Sequence, residues 1–113
     1  MATPSDERKN LVKGTLDLMI LRLLAREPQH GWGIVQRLRH LSDDVFHVTP
    51  GALFPALQRL EDNGWVSSAW GTTEHNRRAK YYALTRRGRR HLERETEHWR
   101  IVSLTVTRVL NRA

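Results

Sequence analysis

Thr49-Pro50-Gly51-Ala52-Leu53-Phe54-Pro55-Ala56-Leu57-Gln58-Arg59-Leu60-Glu61 is the stretch from which the architecture of this chain unfolds. Threonine suits a helix N-cap because its hydroxyl accepts from an otherwise orphaned backbone N–H, and proline at the first helical position sacrifices no hydrogen bond. A helix is therefore expected to start sharply after Thr49 and run to Asn63, with Gly64 as its stop. Leu53, Ala56, Leu57 and Leu60 recur at helical spacing and form its core stripe. Gly51, Phe54, Pro55, Gln58 and Arg59 fall mostly off that stripe, which leaves an outward face. A basic stretch follows, Asn76-Arg77-Arg78-Ala79-Lys80-Tyr81-Tyr82-Ala83-Leu84-Thr85. A short helix with an outward face next to a cationic hairpin suits a DNA groove.

Working outward, Val66 to Thr73 and Ala79 to Leu84 are rich in Val, Thr, Trp and Tyr and enclose a polar segment with a turn residue, so they are expected to form a hairpin. Thr85 then caps a long last helix reaching about Asn111, in which Leu92, Glu95, Trp99, Val102, Val106 and Val109 alternate at spacings of three and four, a heptad seam with one polar member. Before the opening stretch, Trp32 to Leu41 is amphipathic through Ile34, Leu38 and Leu41 and is broken by Ser42-Asp43-Asp44. Val45-Phe46-His47-Val48 reads as a short extended piece. From Leu11 to Ala25, Leu11, Val12, Leu16, Met19, Ile20, Leu23 and Leu24 fit a helix that Pro28 ends, and Leu18 and Leu21 widen its apolar surface beyond one stripe. Such a helix needs cover on two sides, either from a partner subunit or from a central place in a monomer. The expected organisation is a flexible arm over residues 1–10, a DNA-binding unit over 11–84 and a dimerisation helix over 85–113.

The chain has 113 residues, enough for one modest core, and 19 Lys and Arg against 12 Asp and Glu give a formal charge of +7. Such a balance favours a polyanion or an anionic membrane surface. The charge is concentrated: seven Lys or Arg and no acid lie between Arg77 and Arg90. Cysteine is absent, which removes disulfides and thiolate metal sites. The polar start, Met1 to Lys9, lacks a signal-peptide core, and the apolar run Leu18 to Leu21 is too short to span a bilayer. A cytoplasmic protein is expected.

Two helices joined by a turn and followed by a hairpin make a winged helix-turn-helix, although a generic α+β domain shares the order. Arg86, Arg87, Arg89 and Arg90 crowd the first turns of the last helix, where the macrodipole disfavours cations. Phosphate is one reason for them, and solvation of a charge run is the other. Arg77, Arg78 and Lys80 at the hairpin tip are the better phosphate or minor-groove candidates. Gln58 and Arg59 carry the right groups for adenine and guanine edges, while a surface ion pair with Asp62 or Glu61 accounts for Arg59 equally well. Trp99 on the seam reads as an aromatic in a dimer interface, or as one wall of a slot for a planar ligand. His91 and His98 share a helical face without further ligands, so no metal site is expected. No cofactor is implied. The parts needed for nucleophilic, phosphoryl-transfer or glycosidic chemistry are missing, and the chain is not expected to be an enzyme.

Lys13-Gly14-Thr15-Leu16, His30-Gly31-Trp32-Gly33-Ile34, Thr49 to Leu57, Leu60-Glu61-Asp62-Asn63-Gly64-Trp65-Val66 and Lys80-Tyr81-Tyr82-Ala83-Leu84-Thr85 with Gly88 together resemble a PadR-type transcriptional regulator, over nearly the whole chain from Lys13 to Leu110. The short tail with one terminal helix is similar to the compact members. The resemblance implies a homodimeric winged helix that represses from a palindromic operator and is released by a small molecule. It passes a DNA-facing role to Lys13, Thr49, Gly51, Phe54, Arg77, Arg78 and Lys80. It also implies dimerisation through the first and last helices, to which Leu16, Ile20, Leu92, Trp99, Val102, Val106 and Val109 would contribute. Trp99 matches the aromatic that lines an effector slot in multidrug-sensing relatives. Phe54 and Trp32 stand where the family commonly has Tyr, and Asn76 where Gly is frequent. Phe54 thus lacks a hydroxyl for phosphate, whereas Asn76 still tolerates a left-handed turn.

The expected fold is α+β, mainly α: a winged helix-turn-helix with an additional C-terminal dimerisation helix. The expected function is that of a sequence-specific regulator of double-stranded DNA. A protein interaction module, or a nucleic-acid binder without sequence preference, would share the composition. Neither the operator, the regulated genes, the effector nor the sign of regulation is written in the chain.

Overall fold

A computed structural model describes the backbone from residue 4 and side chains from residue 15 onward. The order is α1 Pro4–Arg26, β1 Gln29–His30, α2 Gly31–Leu41, α3 Pro50–Asp62, β2 Val66–Thr72, β3 Arg78–Leu84 and α4 Arg86–Arg112. The three strands form one antiparallel sheet in the order β1-β3-β2. Helix α1 starts earlier than Leu11 and extends into the segment expected to be an arm. Proline at its first position suits a helix start.

Local chemistry accounts for most element boundaries. Thr49 caps α3 by accepting from the Ala52 N–H at 3.3 Å, and Thr85 caps α4 by accepting from the Gly88 N–H at 2.9 Å. Gly64 closes α3 at φ 74°, the left-handed region that only glycine enters without steric cost. Asn76 turns the hairpin at φ 58°, as its tolerance of that region allows. His30 begins α2 with a side-chain cap, its Nδ1 accepting from the Gly33 N–H at 3.1 Å.

One expectation about extended segments changes, and one strand is added. Val45 to Val48 has no strand partner; it is a connection anchored by the buried Val48, while Val45 is open to solvent. The third strand is instead Gln29–His30, pairing Gln29 with Tyr82 and His30 with Tyr81. Two residues cannot display an alternating pattern, so only the tertiary pairing defines this strand.

The core gathers Leu16, Ile20, Leu21 and Leu24 of α1, Ile34 and Leu38 of α2, Leu53, Ala56, Leu57 and Leu60 of α3, Val66 and Tyr82 of the hairpin, and Leu92 of α4. Leu16, Ile20 and Leu92, expected at a dimer interface, are 1%, 0% and 6% exposed within the single chain, so their part is in the protomer's own core. The described part of α1 packs against α2, α3, β3 and α4, which bury its Leu16, Ile20, Leu21 and Leu24. Beyond Leu92 the seam of α4 is uncovered, with Trp99, Val102, Val106 and Val109 at 47%, 36%, 51% and 58% exposure.

The junction of α4 with the winged unit is a stack of His91 on Trp65, centroids 3.5 Å apart and planes 8° from parallel. Burial holds the His91 imidazole below its ordinary pKa; Glu95 opposes that shift, Arg94 adds to it, and Asp17 opposes it. With a depressed pKa in the native state, the unfolded chain binds more protons as pH falls through about 6.5, so acidification lowers stability. Thermal melts between pH 7.5 and 5.5 are expected to show a steeper loss of Tm for the wild type than for His91→Phe, which keeps the stack without the titration. Parallel pH profiles for the two would contradict this role.

Candidate nucleic-acid interface

The face of α3 away from the core carries Gly51, Ala52, Phe54, Pro55 and Gln58, all exposed. No acidic residue lies in its first turn, so the positive end of the helix dipole is unopposed there. Phe54 is 54% exposed, and its ring borders Gly31 at the start of α2, where an added Cβ would come within 3.3 Å of its Cε1. The ring is thus backed on one side and open on the other.

Gln58 and Arg59, both candidates for base edges, have different surroundings. The Gln58 amide donates to Asp62 at 2.8 Å on an exposed face. Arg59 turns inward to Asp17 of α1, donating at 2.9 Å, with both side chains partly buried. Its partner is neither Asp62 nor Glu61, and the pair ties α3 to α1 instead of adding a donor to the outward face. Thr49 is occupied in capping. Lys13 lies outside the described side chains.

The wing divides its three cations. Lys80 extends toward Glu61 of α3 at 3.8 Å and over the Tyr82 ring at 5.8 Å. Glu61 also accepts from the Ser68 hydroxyl, so one carboxylate fastens both strands of the wing to α3. Arg78 lies over the Trp70 ring, 4.8 Å from its centroid. Arg77 is exposed at the turn, which is closed by the Thr73 hydroxyl accepting from the Arg77 N–H at 3.1 Å. Arg77 and Arg78 also border a groove of 830 Å³ between the wing and the first turns of α2, where Trp32 stands 66% exposed.

Arg86, Arg87, Arg89 and Arg90 are exposed at the base of the hairpin, opposite its tip. A seven-residue strand separates the two groups by roughly 20 Å, so the cationic run in sequence is two patches in space. Trp70 is a contributor to this surface that motif reading left without a role, and Glu61, read as a possible partner of Arg59, fastens the wing instead. The signal for Trp70 was its place in a strand leading to a cationic turn, but its pairing with Arg78 depends on the hairpin register. That register sets Trp70 against Lys80 and Thr72 against Arg78, which makes Arg78 the diagonal neighbour of the indole.

Three helices, a three-stranded sheet and a cationic wing beside an exposed third helix define a winged-helix DNA-binding regulator. Residues 20–94 match the model of the transcriptional regulator PadR-like family, and the chain belongs to that family. Its members are transcriptional regulators and not enzymes. A transcriptional regulator from Clostridium thermocellum superposes with a TM-score of 0.80 at 27% identity, covering 88% of this chain and 96% of the other. A PadR-like transcriptional regulator from Bacillus cereus gives 0.79 at 25% identity, covering 92% and 99%. The transcriptional regulator YqjI of Escherichia coli is 29% identical over 84 residues, which is 74% of this chain and 39% of that relative. Among the described residues, no helix is long and apolar enough to cross a membrane.

Proposed function

We propose that the protein is a cytoplasmic, homodimeric, sequence-specific repressor that reads a palindromic operator with α3 and grips adjacent phosphates with its wing. The observation that carries this reading is the exposed face of α3, Gly51, Phe54 and Gln58, on the helix to which Glu61 fastens the wing that bears the exposed cations Arg77 and Arg78. Lys13, Thr49, Arg59 and Lys80 complete the residues assigned to DNA. Thr49 and Lys80 act there through the cap and the wing, and Arg59 by holding α3 to α1. A two-fold axis would place two copies of α3 about 34 Å apart, one turn of the duplex.

Dimerisation is carried by α4, whose Trp99, Val102, Val106 and Val109 repeat along one side of a helix and stay exposed among the described residues. Paired Trp99 indoles from two copies would form the walls of a slot for a planar hydrophobic effector that releases the operator. Trp99→Glu places a charge in that seam and is expected to convert the dimer to monomer at micromolar concentration, read by sedimentation velocity. A profile identical to wild type would remove Trp99 from the interface.

Selection from random duplex DNA tests the reading as a whole, followed by titration of the best site against a scramble at two salt concentrations. Recovery of an inverted repeat bound ~10³-fold tighter than the scramble supports it. Equal, salt-sensitive binding to both would replace it by a nucleic-acid binder without sequence preference. Absence of binding would favour a protein interaction module. An unchanged Trp fluorescence across planar cations and phenolic acids would count against the effector slot.

A further inference from the structure

Trp70 is a large aromatic left 62% exposed in the middle of β2, where burial gives it little reason to be. Its outward position follows from the register: Val66, Ser68 and Trp70 share one face with Tyr82, Lys80 and Arg78. At the base of the hairpin that face is buried through Val66 and Tyr82, and toward the tip it rises clear of the core. The residue directly opposite Trp70 is Lys80, whose ammonium is drawn away to Glu61. The indole is therefore free to take the diagonal neighbour, and the Arg78 guanidinium lies over it at 4.8 Å.

We propose that Trp70 is a positioning residue for DNA: its indole holds the Arg78 guanidinium over its ring at the outer part of the wing, leaving the N–H donors to a backbone phosphate. This inference rests on the DNA-binding reading above. Stacking engages the flat face of a guanidinium and leaves the N–H groups at its edge available, which is why arginine can bind an aromatic and a phosphate together. An exposed arginine otherwise samples many rotamers and loses that freedom when it docks. Restricting it beforehand moves the cost from binding to folding. Lysine could not serve in the same way, since its ammonium has no planar face to stack. Among the three wing cations the division of labour follows: Lys80 fastens the wing to α3, Arg77 adds charge at the turn, and Arg78 is the preset contact.

The experiment uses the intact protein and a duplex carrying the selected inverted repeat, with its scramble as reference. Binding is measured against salt for wild type, Trp70→Ala, Trp70→Phe, Arg78→Ala and the Trp70→Ala, Arg78→Ala double variant. Trp70→Ala is expected to weaken binding about three- to tenfold, and Trp70→Phe by less, since a smaller ring still stacks. In the Arg78→Ala background, loss of Trp70 is expected to change affinity by less than about twofold, because there is no guanidinium left to place. Nuclear magnetic resonance of the free protein supplies a readout independent of DNA: the Arg78 δ-methylene signals, shifted upfield by the indole, move to ordinary positions in Trp70→Ala. An equal loss in both backgrounds would mean that Trp70 touches DNA itself and would overturn the positioning role. So would a fall of about two units in the salt slope with Trp70→Ala, which marks collapse of the whole wing. If wild type binds the duplex and Trp70→Ala binds equally well, this inference alone fails. If wild type binds neither duplex, the DNA-binding reading fails and takes this inference with it.

Discussion

The Arg77→Ala, Arg78→Ala double variant is expected to bind the selected duplex about ten- to a hundredfold more weakly than wild type near physiological salt, with its assembly state unchanged. Both side chains are exposed on the outward part of the wing, and neither forms an ion pair with a carboxylate among the described residues. Their charge is therefore available to displace counterions from phosphate. Each phosphate neutralised on duplex DNA contributes about 0.9 to the slope of log affinity against log salt, so the double variant should lose up to about two units of slope. Phosphate contacts carry no sequence information directly, and the loss should be nearly the same on the selected duplex and its scramble. A changed preference between the two sites would instead mean that the wing reads a groove. An unchanged slope would remove the wing from the mechanism.

Gly88→Ala is expected to destabilise the protomer by about 3 kcal/mol or more and lower Tm by more than about 10 °C. A Cβ at this position would fall 1.9 Å from the Trp65 carbonyl oxygen and 2.8 Å from Leu84 Cδ1. Flexible side chains can yield to such a contact, but this oxygen is backbone and already accepts the Thr85 N–H at 3.0 Å. The Thr85 hydroxyl is committed on both sides, donating to the Gly64 carbonyl at 2.7 Å and accepting from the Gly88 N–H at 2.9 Å. Moving α4 away to admit a methyl group would break the cap and these bonds together. Gly51→Ala is the control, because a Cβ there meets only Thr49 Oγ1 at 3.8 Å and the helix gains from alanine. Thermal unfolding should show a large fall for Gly88→Ala and nearly none for Gly51→Ala. Equal Tm values for the two would contradict the close approach of α4 to the end of α3.

These two variants separate the parts of the molecule by what each feature does. Arg77 and Arg78 contribute nothing evident to the core, so their cost should appear in binding. Gly88 is buried where α4 meets the Trp65 backbone, so its cost should appear in folding. Trp99→Glu belongs to a third category, in which the proposed assembly is expected to change while the protomer stays folded, since Trp99 is about half exposed and outside the buried core.

Legibility in the sequence followed the range of the interaction. The caps Thr49 and Thr85, the stop at Gly64 and the turn at Asn76 act within a few residues, and each is found where local chemistry puts it. The core stripe of α3 was readable for the same reason, because Leu53, Ala56, Leu57 and Leu60 need only helical periodicity to share a face. Arg59 could not be read in this way. Its carboxylate partner is Asp17, 42 positions away, and nothing near Arg59 distinguishes that pairing from one with Asp62.

The seam of α4 shows the same division within one helix. Heptad spacing places Leu92, Trp99, Val102, Val106 and Val109 in one row, yet Leu92 is enclosed by its own chain and the others are open. Periodicity reports which side chains share a face and is silent about what covers it. The sequence by itself therefore determined the four helices, the hairpin, their order, the caps at Thr49 and Thr85 and the winged-helix class, since all of these rest on neighbours along the chain. Only the tertiary structure decided which apolar residues enter the core and which stay exposed. It also separated the two basic patches, committed Lys80 to Glu61 and laid Arg78 on Trp70. Those outcomes depend on strand register and helix packing, which bring together groups that the chain keeps apart.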